Sequence, residues 1–265
     1  MAFDLKNRWA LVTGASVGIG KCLAEQLAEA GANLVLVARR EELLNDLAAE
    51  LEDLRKVQTR VIALDLTAPD AVSELMAQIQ DLPVSVLINN AGFAETGPFE
   101  STVEKRLLNM LQLNVVFLTQ MTRALLPRLL KEPQGARILN VGSLAGYMGV
   151  PQMAGYSATK AFVNHFSEAL AWELRHSGVR VTSLEPGSTQ TEFFEVAGMQ
   201  GSFMSKINLM PASQVAKAGV RAMIAGRRRL VAGIVNKLGV FALRLSPRWL
   251  VGWVVGHLFA DLNKA

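Results

Sequence analysis

The chain of 265 residues has one cysteine, Cys22, which excludes an internal disulfide and fits a reducing compartment. It has three histidines (His165, His176 and His257), and with a single cysteine they offer no zinc-type ligand spacing, so no metal site is expected. Charged residues reach only 19% against 51% hydrophobic, which excludes a disordered chain. Glycine (21) and proline (9) are too few for a collagen-like or low-complexity sequence. No stretch approaches the roughly 18 uncharged apolar residues of a membrane-spanning helix. The apolar run Trp9–Val12 is far too short for the core of a secretory leader, and none is expected. What is present suffices for one large domain that buries a full core without staples.

Charge is unevenly placed. From Arg227 to the end, seven basic residues face one acid, Asp261, so this stretch carries +6 of a total of +4 and the remainder is −2. A main body without excess positive charge argues against nucleic acid as a partner.

Apolar runs of strand length recur at Trp9–Val12, Asn33–Ala38, Arg60–Leu64, Val84–Ile88, Arg137–Val141 and Val179–Leu184. They are continuous rather than alternating, as in strands buried on both faces. Helical patterns lie between them at Gly18–Ala30, Glu41–Lys56, Asp70–Gln80, Val103–Leu130 and Ala154–Ser177. This order predicts an α/β fold, a doubly wound parallel sheet with helices on both faces. Composition shifts near Ala225–Arg229, so the expected division is a single domain over 1–226 and a helical, basic appendage over 227–265.

The first strand runs into Thr13-Gly14-Ala15-Ser16-Val17-Gly18-Ile19-Gly20, a G-x-x-x-G-x-G turn that opens a helix. Glycines let a backbone turn tightly and approach a pyrophosphate, which the helix N-terminus then holds. A tight strand–helix turn without a ligand is the plainer alternative. The second strand ends in Ala38-Arg39-Arg40, where an NAD site carries an acid for the ribose 2′-OH. Arginine suits a 2′-phosphate instead, so NADP (NADPH) is expected, with Arg39 first and Arg40 second; two solvated helix-start arginines are the alternative.

Later motifs follow in order: Asp65-Leu66 after the third strand, Asn89-Asn90-Ala91-Gly92 after the fourth, Asn114 in the long fourth helix and Ser143 after the fifth strand. Then come Tyr156-Ser157-Ala158-Thr159-Lys160, and Pro186-Gly187 with Thr191. With these pieces the chain resembles the short-chain dehydrogenase/reductase family over about residues 5 to 225. The resemblance implies a Rossmann-type sheet of about seven strands and an NADP-dependent oxidoreductase acting on CH–OH/C=O groups, a ketone reductase in type.

Tyr156 and Lys160, four apart on a helix, share one face. A nearby ammonium lowers a tyrosine's pKa from its usual value of about 10. That brings the phenol toward the range useful for general acid–base work. Ser143, at a strand end, can hydrogen-bond a substrate oxygen. The resemblance adds roles. Tyr156 is the general acid/base, and Lys160 also holds the nicotinamide ribose. Asn114 holds a water in a proton relay, or else simply bonds a backbone group. Gly14, Ser16, Gly18, Ile19 and Gly20 cradle the cofactor, and Asp65 and Leu66 border its adenine. Asn90, Ala91 and Gly92 border the ribose, and Pro186, Gly187 and Thr191 the nicotinamide. Val17 departs from the basic residue that some NADP-using relatives carry in the turn.

Five of the ten methionines (Met148, Met153, Met199, Met204 and Met210) fall around the stretch that covers the substrate in this family, with Phe193, Phe194 and Phe203. Methionine adapts to irregular apolar partners, so a lipophilic carbonyl or alcohol is expected; core filling beneath a loop is the alternative. Gly198 and Gly201 permit movement of that stretch. In the tail, Trp249 and Trp253 with Leu245, Leu250, Val254, His257 and Leu258 form a mostly apolar helix preceded by Arg244 and Arg248. Two readings stay open: a helix lying in a membrane interface, or one covering a protein surface. The resemblance implies a homodimer or homotetramer through the fourth and fifth helices. Cytoplasmic localisation, with membrane association as the alternative, completes the expectation. Competing functions are a non-catalytic cofactor-binding module and a membrane-surface protein acting through its tail.

Overall fold

The computed structural model describes residues 3–191 and 209–259, the side chains of Leu258 and Phe259 excepted. The six apolar runs become strands β1 (Trp9–Thr13), β2 (Asn33–Ala38), β3 (Thr59–Ala63), β4 (Val84–Asn89), β5 (Ala136–Val141) and β6 (Val179–Glu185). A two-residue pair, β7 (Thr189–Gln190) and β8 (Met210–Pro211), stands apart from the main sheet. A final strand, β9 (Arg229–Val231), completes a seven-stranded parallel sheet in the order β3-β2-β1-β4-β5-β6-β9. That strand lies beyond the composition shift at 226/227, so the sheet takes its last member from the basic stretch.

The helices between are α1 (Gly18–Glu29), α2 (Glu41–Arg55), α3 (Ala71–Gln78), α4 (Glu104–Leu111), α5 (Leu118–Leu129) and α6 (Ala154–Glu173). After the sheet's main body come α7 (Ala212–Ile224), α8 (Ile234–Leu245) and α9 (Arg248–Phe259). Two cores explain the continuous apolar runs. Ala10 and Val12 of β1 pack with Leu23 and Leu27 of α1, Leu44 and Leu47 of α2, and Val215 and Met223 of α7. Leu11 between them faces the other way, toward Leu75, Met121, Leu125 and Leu170. Alternate strand residues are thus buried on opposite faces.

The long helix expected over Val103–Leu130 is interrupted. Between α4 and α5 the backbone widens into a π-helical turn, Gln112–Phe117. Such turns carry the same residues as an α-helix with one more per turn, so periodicity does not reveal them. A third, smaller cluster joins Ala94, Met110, Val150, Met153 and Tyr156 to Val255 of α9. Among the described residues no helix is long and apolar enough to cross a membrane.

The strand order reverses between β1 and β4. Ligands of doubly wound sheets sit in the crevice that this reversal opens at the carboxyl ends of the strands.

Candidate active site

The glycine turn occupies that crevice. Gly14 has φ +66°, and a Cβ there would lie 2.8 Å from the Asn90 side-chain nitrogen and 2.9 Å from the Ala91 Cα. A Cβ on Gly20 would fall 2.0 Å from the Gly14 carbonyl oxygen. Only glycine permits this packing. The turn is held by its neighbours: Thr13 Oγ1 donates to the Ile88 carbonyl (3.1 Å) and accepts from the amides of Asn90 (3.0 Å) and Ala91 (3.1 Å). Asn90 Nδ2 donates to the carbonyls of Thr13 (2.9 Å) and Gly14 (3.1 Å). The start of α1 has no side-chain cap and no acid in its first turn. Its amides and dipole are therefore open to an anion.

A cavity of about 710 Å³ runs from this turn to α6 and α8, lined by Gly14, Ser16, Gly18, Ile19 and Gly20 at one end. Arg39, Arg40, Asp65 and Leu66 line the same end, followed by Asn90, Ala91 and Gly92. Ser143, Tyr156, Lys160, Pro186 and Gly187 line the cavity too, and so does Thr191. Arg40 Nη2 approaches Ser16 Oγ at 3.5 Å, so these two converge beside the turn. Asp65 accepts the amide (3.0 Å) and hydroxyl (2.9 Å) of Thr67, which fixes its carboxylate at the cavity edge. Thr191 lies against the turn, 3.2 Å from where a Cβ on Gly18 would stand.

Tyr156 and Lys160 lie on the buried face of α6. The Tyr156 phenol is hydrogen-bonded to Ser143, yet burial pushes its pKa up to about 12. Burial also pulls Lys160 down to about 8, and its Nζ donates to the Val141 carbonyl at 2.8 Å. The ammonium stands 5.8 Å from the Tyr156 ring centre. This corrects the sequence-based expectation for the phenol. Desolvation dominates here, and the hydrogen bond to Ser143 offsets it only in part.

Asn114 does not line the cavity but stands behind Gly92, in the π-helical turn that aims it inward. Its Oδ1 accepts the Phe93 amide (3.2 Å), and its Nδ2 donates to the Phe93 carbonyl (2.9 Å) and to Thr159 Oγ1 (3.1 Å). It thereby ties the loop after β4 to α6. A Cβ on Gly92 would lie 2.8 Å from Asn114 Oδ1 and 3.8 Å from Lys160 Nζ, so Asn114 packs tightly against Gly92 with Lys160 nearby.

Two parts of the site went unread in the sequence. Buried Asn164, one turn beyond Lys160, clamps the Ser143 backbone: its Nδ2 donates to the Ser143 carbonyl (3.0 Å) and its Oδ1 accepts the Ser143 amide (3.3 Å). It sits between two glycines, 1.9 Å from where a Cβ on Gly142 would be and 2.5 Å from one on Gly146. The signal was available, as a polar residue at i+4 on the face of Tyr156 and Lys160. The second part comes from the tail. Val235 and Asn236 of α8 line the cavity, and Val251 and Val255 of α9 join the cluster around Tyr156.

A buried charge network braces this end. Tyr147 donates its hydroxyl to Glu185, which is 1% exposed. Arg229 Nε of β9 reaches the same carboxylate at 2.9 Å, and Ser183 Oγ donates to it at 3.0 Å. The segment after Ser143 is thus pinned to the last strand of the sheet.

On the substrate side, Met148 and Met153 line the cavity, whereas Met210 packs into the core on the α1 side and is absent from the lining. Phe193, Phe194, Gly198, Met199, Gly201, Phe203 and Met204 lie outside the described residues. Among the described residues no cluster of histidine, cysteine and acidic side chains could hold a metal.

A model of the short chain dehydrogenase family matches residues 8–201. A very-long-chain 3-oxoacyl-CoA reductase of Meyerozyma guilliermondii is 42% identical over 186 residues, covering 66% of this chain and 54% of that protein. The Bos taurus protein of the same name is 36% identical over 198 residues, covering 72% of this chain and 62% of its own length. The chain therefore spans little more than half of these two relatives. Among solved structures, a short-chain dehydrogenase from Sphingobium yanoikuyae in complex with NADPH superposes with a TM-score of 0.79 at 32% identity, covering 89% of this chain and 92% of that one. A 7beta-hydroxysteroid dehydrogenase superposes at 0.85 with 27% identity, covering 97% and 100%.

Proposed function

Because the chain belongs to the short-chain dehydrogenase family, we propose that it is an NADP(H)-dependent oxidoreductase that interconverts a lipophilic ketone and its alcohol. We propose a long-chain 3-oxoacyl thioester as the substrate, the class named in its reductase relatives. The observation that carries this reading is one cavity lined both by the glycine turn and by Ser143, Tyr156 and Lys160.

The cradle around Gly14 and Gly20 and the uncapped start of α1 fit a pyrophosphate. Ser16, Arg39 and Arg40 hold the 2′-phosphate, and Asp65 and Leu66 the adenine end. The bound cofactor supplies or accepts the hydride at nicotinamide C4. Ser143 hydrogen-bonds the substrate carbonyl and steadies the charge that grows on its oxygen. Tyr156 gives its proton to that oxygen as the carbon gains the hydride, and the product is the alcohol. A phenol kept protonated by burial is ready for this direction at neutral pH. Lys160 gives a proton back to Tyr156 and regains it from water that Asn114, packed against Gly92, helps to hold. Met148, Met153 and Val235 of α8 supply the apolar side of the substrate site.

The test is a side-by-side titration of NADPH and NADH. NADPH binds more tightly, and Arg39→Ala with Arg40→Ala erases the difference, a loss of roughly 10- to 100-fold for two charge-assisted contacts. Preference for NADH by the unaltered protein refutes the assignment of these arginines. Leu108, Val116 and Phe162 expose apolar side chains on α4, the π-helical turn and α6. Self-association through this face is part of the proposal, and sedimentation velocity tests it.

A further inference from the structure

The tail helices bury only one side. Ile234, Leu238, Phe241 and Leu245 recur at 4-, 3- and 4-residue steps, which sets them in one stripe along α8, and all four are exposed. In α9, Val255 is buried against the cluster around Tyr156, while Trp249 is 74% and Trp253 60% exposed. From Trp249 to Phe259 this helix holds no Lys, Arg, Asp or Glu. Helices apolar all round, or with an apolar stripe, belong against something on that side.

The charge around the stripe says what. Residues 227–259 contain six arginines and lysines and no aspartate or glutamate. Lys237 and Arg244, seven residues apart, flank one side of the α8 stripe, and Arg248 opens α9; all three are exposed. A second copy of the chain with these two helices seated face to face would bring their cations together, and residues 227–259 hold no acid to offset them. An anionic lipid surface offers both what the stripe lacks, apolar depth, and what the flank lacks, negative charge. Neither helix, at 12 residues each, is long enough to span a bilayer.

We propose that α8 and α9 form a docking surface for anionic lipid membranes, with Trp249, Trp253, Phe241 and Leu238 entering the interface and Lys237, Arg244 and Arg248 meeting the headgroups. Val235, beside the α8 stripe, lines the cavity, and the side of α9 away from the tryptophans contributes Val255 to the Tyr156 cluster. Docking therefore places the apolar wall of the pocket at the lipid boundary. Docking itself is independent of the reductase reading. Only its consequence, entry of a lipophilic substrate from the bilayer, rests on that reading.

The experiment is co-sedimentation of the full chain with vesicles of phosphatidylcholine alone and of phosphatidylcholine with phosphatidylglycerol. NADPH binding and far-UV circular dichroism are followed in parallel. The protein partitions onto the phosphatidylglycerol vesicles, and raised salt releases it. Arg244→Glu with Arg248→Glu weakens partition by roughly tenfold or more, as does Trp249→Ser with Trp253→Ser, while both variants keep the circular dichroism of the parent. Absence of partition at low salt overturns the proposal, as does equal partition onto both vesicles unchanged by the charge reversal. A dimer in solution that the tryptophan substitutions dissolve, without vesicle binding, overturns it in favour of a second copy. Intact vesicle binding with no carbonyl turnover leaves docking standing and removes the substrate consequence alone.

Discussion

On the sheet side of the cavity, polar atoms hold one another: Asn164 grips Ser143, Ser143 bonds Tyr156, Lys160 donates to Val141, and Asn114 ties Phe93 to Thr159. On the tail side, Val235 lines the same space with apolar surface and Asn236 adds one amide there, while Val251 and Val255 pack behind Tyr156. The difference follows from what each wall must do. Proton and hydride transfer need atoms held to fractions of an ångström, and hydrogen bonds among buried groups give that. Recognition of a lipophilic chain needs area, which valine and methionine give without fixed direction.

Each prediction presses on one wall. The largest effect is expected at Tyr156. Tyr156→Phe removes the proton donor and lowers kcat by roughly 10³-fold, while the NADPH dissociation constant stays within about twofold by fluorescence titration. Retained turnover would break the assignment of chemistry to the sheet side. Next is Arg229→Ala, which leaves buried Glu185 without its cation and costs about 3 kcal/mol in denaturant unfolding, near the low end for a buried pair because Arg229 is partly exposed. Adding Glu185→Gln recovers part of that loss, since the remaining buried group is then neutral.

Smaller, and more specific to positioning, is Asn164→Ala. It frees the Ser143 backbone and lowers kcat about tenfold with KM and NADPH affinity nearly unchanged. A matching rise in KM would instead make Asn164 part of substrate binding. The smallest effect is a pH dependence of the cofactor-free protein. Folded Lys160 titrates at about 8, below the lysine value of 10.5, so between these the unfolded chain binds more protons than the folded one. Stability from this group therefore rises with pH from about 8 toward 10, by at most about 1.4 kcal/mol per pH unit. Above that, Tyr156 works the other way, because it keeps its proton to about 12 when folded. Thermal unfolding from pH 7 upward checks the slope, and Lys160→Met flattens it.

The six long strands were legible to within a residue at each end, because strands covered on both faces are mostly apolar, and their few buried polar residues, such as Asn140 and Glu185, are hydrogen-bonded. The glycine turn and the residues around the cavity were legible because each depends on a residue type with a special geometry or charge. The π-helical turn was not, since Gln112–Phe117 reads equally well as α-helix. Helix α7 escaped because alanine and glycine dilute its apolar period; Gly219 sits so close to Leu184 that a Cβ would lie 2.8 Å from it. Strand β9 escaped because three residues beside an arginine run carry almost no pattern. Spacing alone put Tyr156 beside Lys160, but how dry the pair is depends on α9, some ninety residues away in sequence, packing over it.

The most direct measurement of the account is the fate of label from NADPH carrying deuterium at nicotinamide C4, turned over with a long-chain 3-oxoacyl thioester. The account predicts deuterium on the carbon bearing the new hydroxyl, at a rate that collapses in Tyr156→Phe although NADPH still binds. A product without that deuterium, or no product across a panel of lipophilic ketones while NADPH binds tightly, would contradict it.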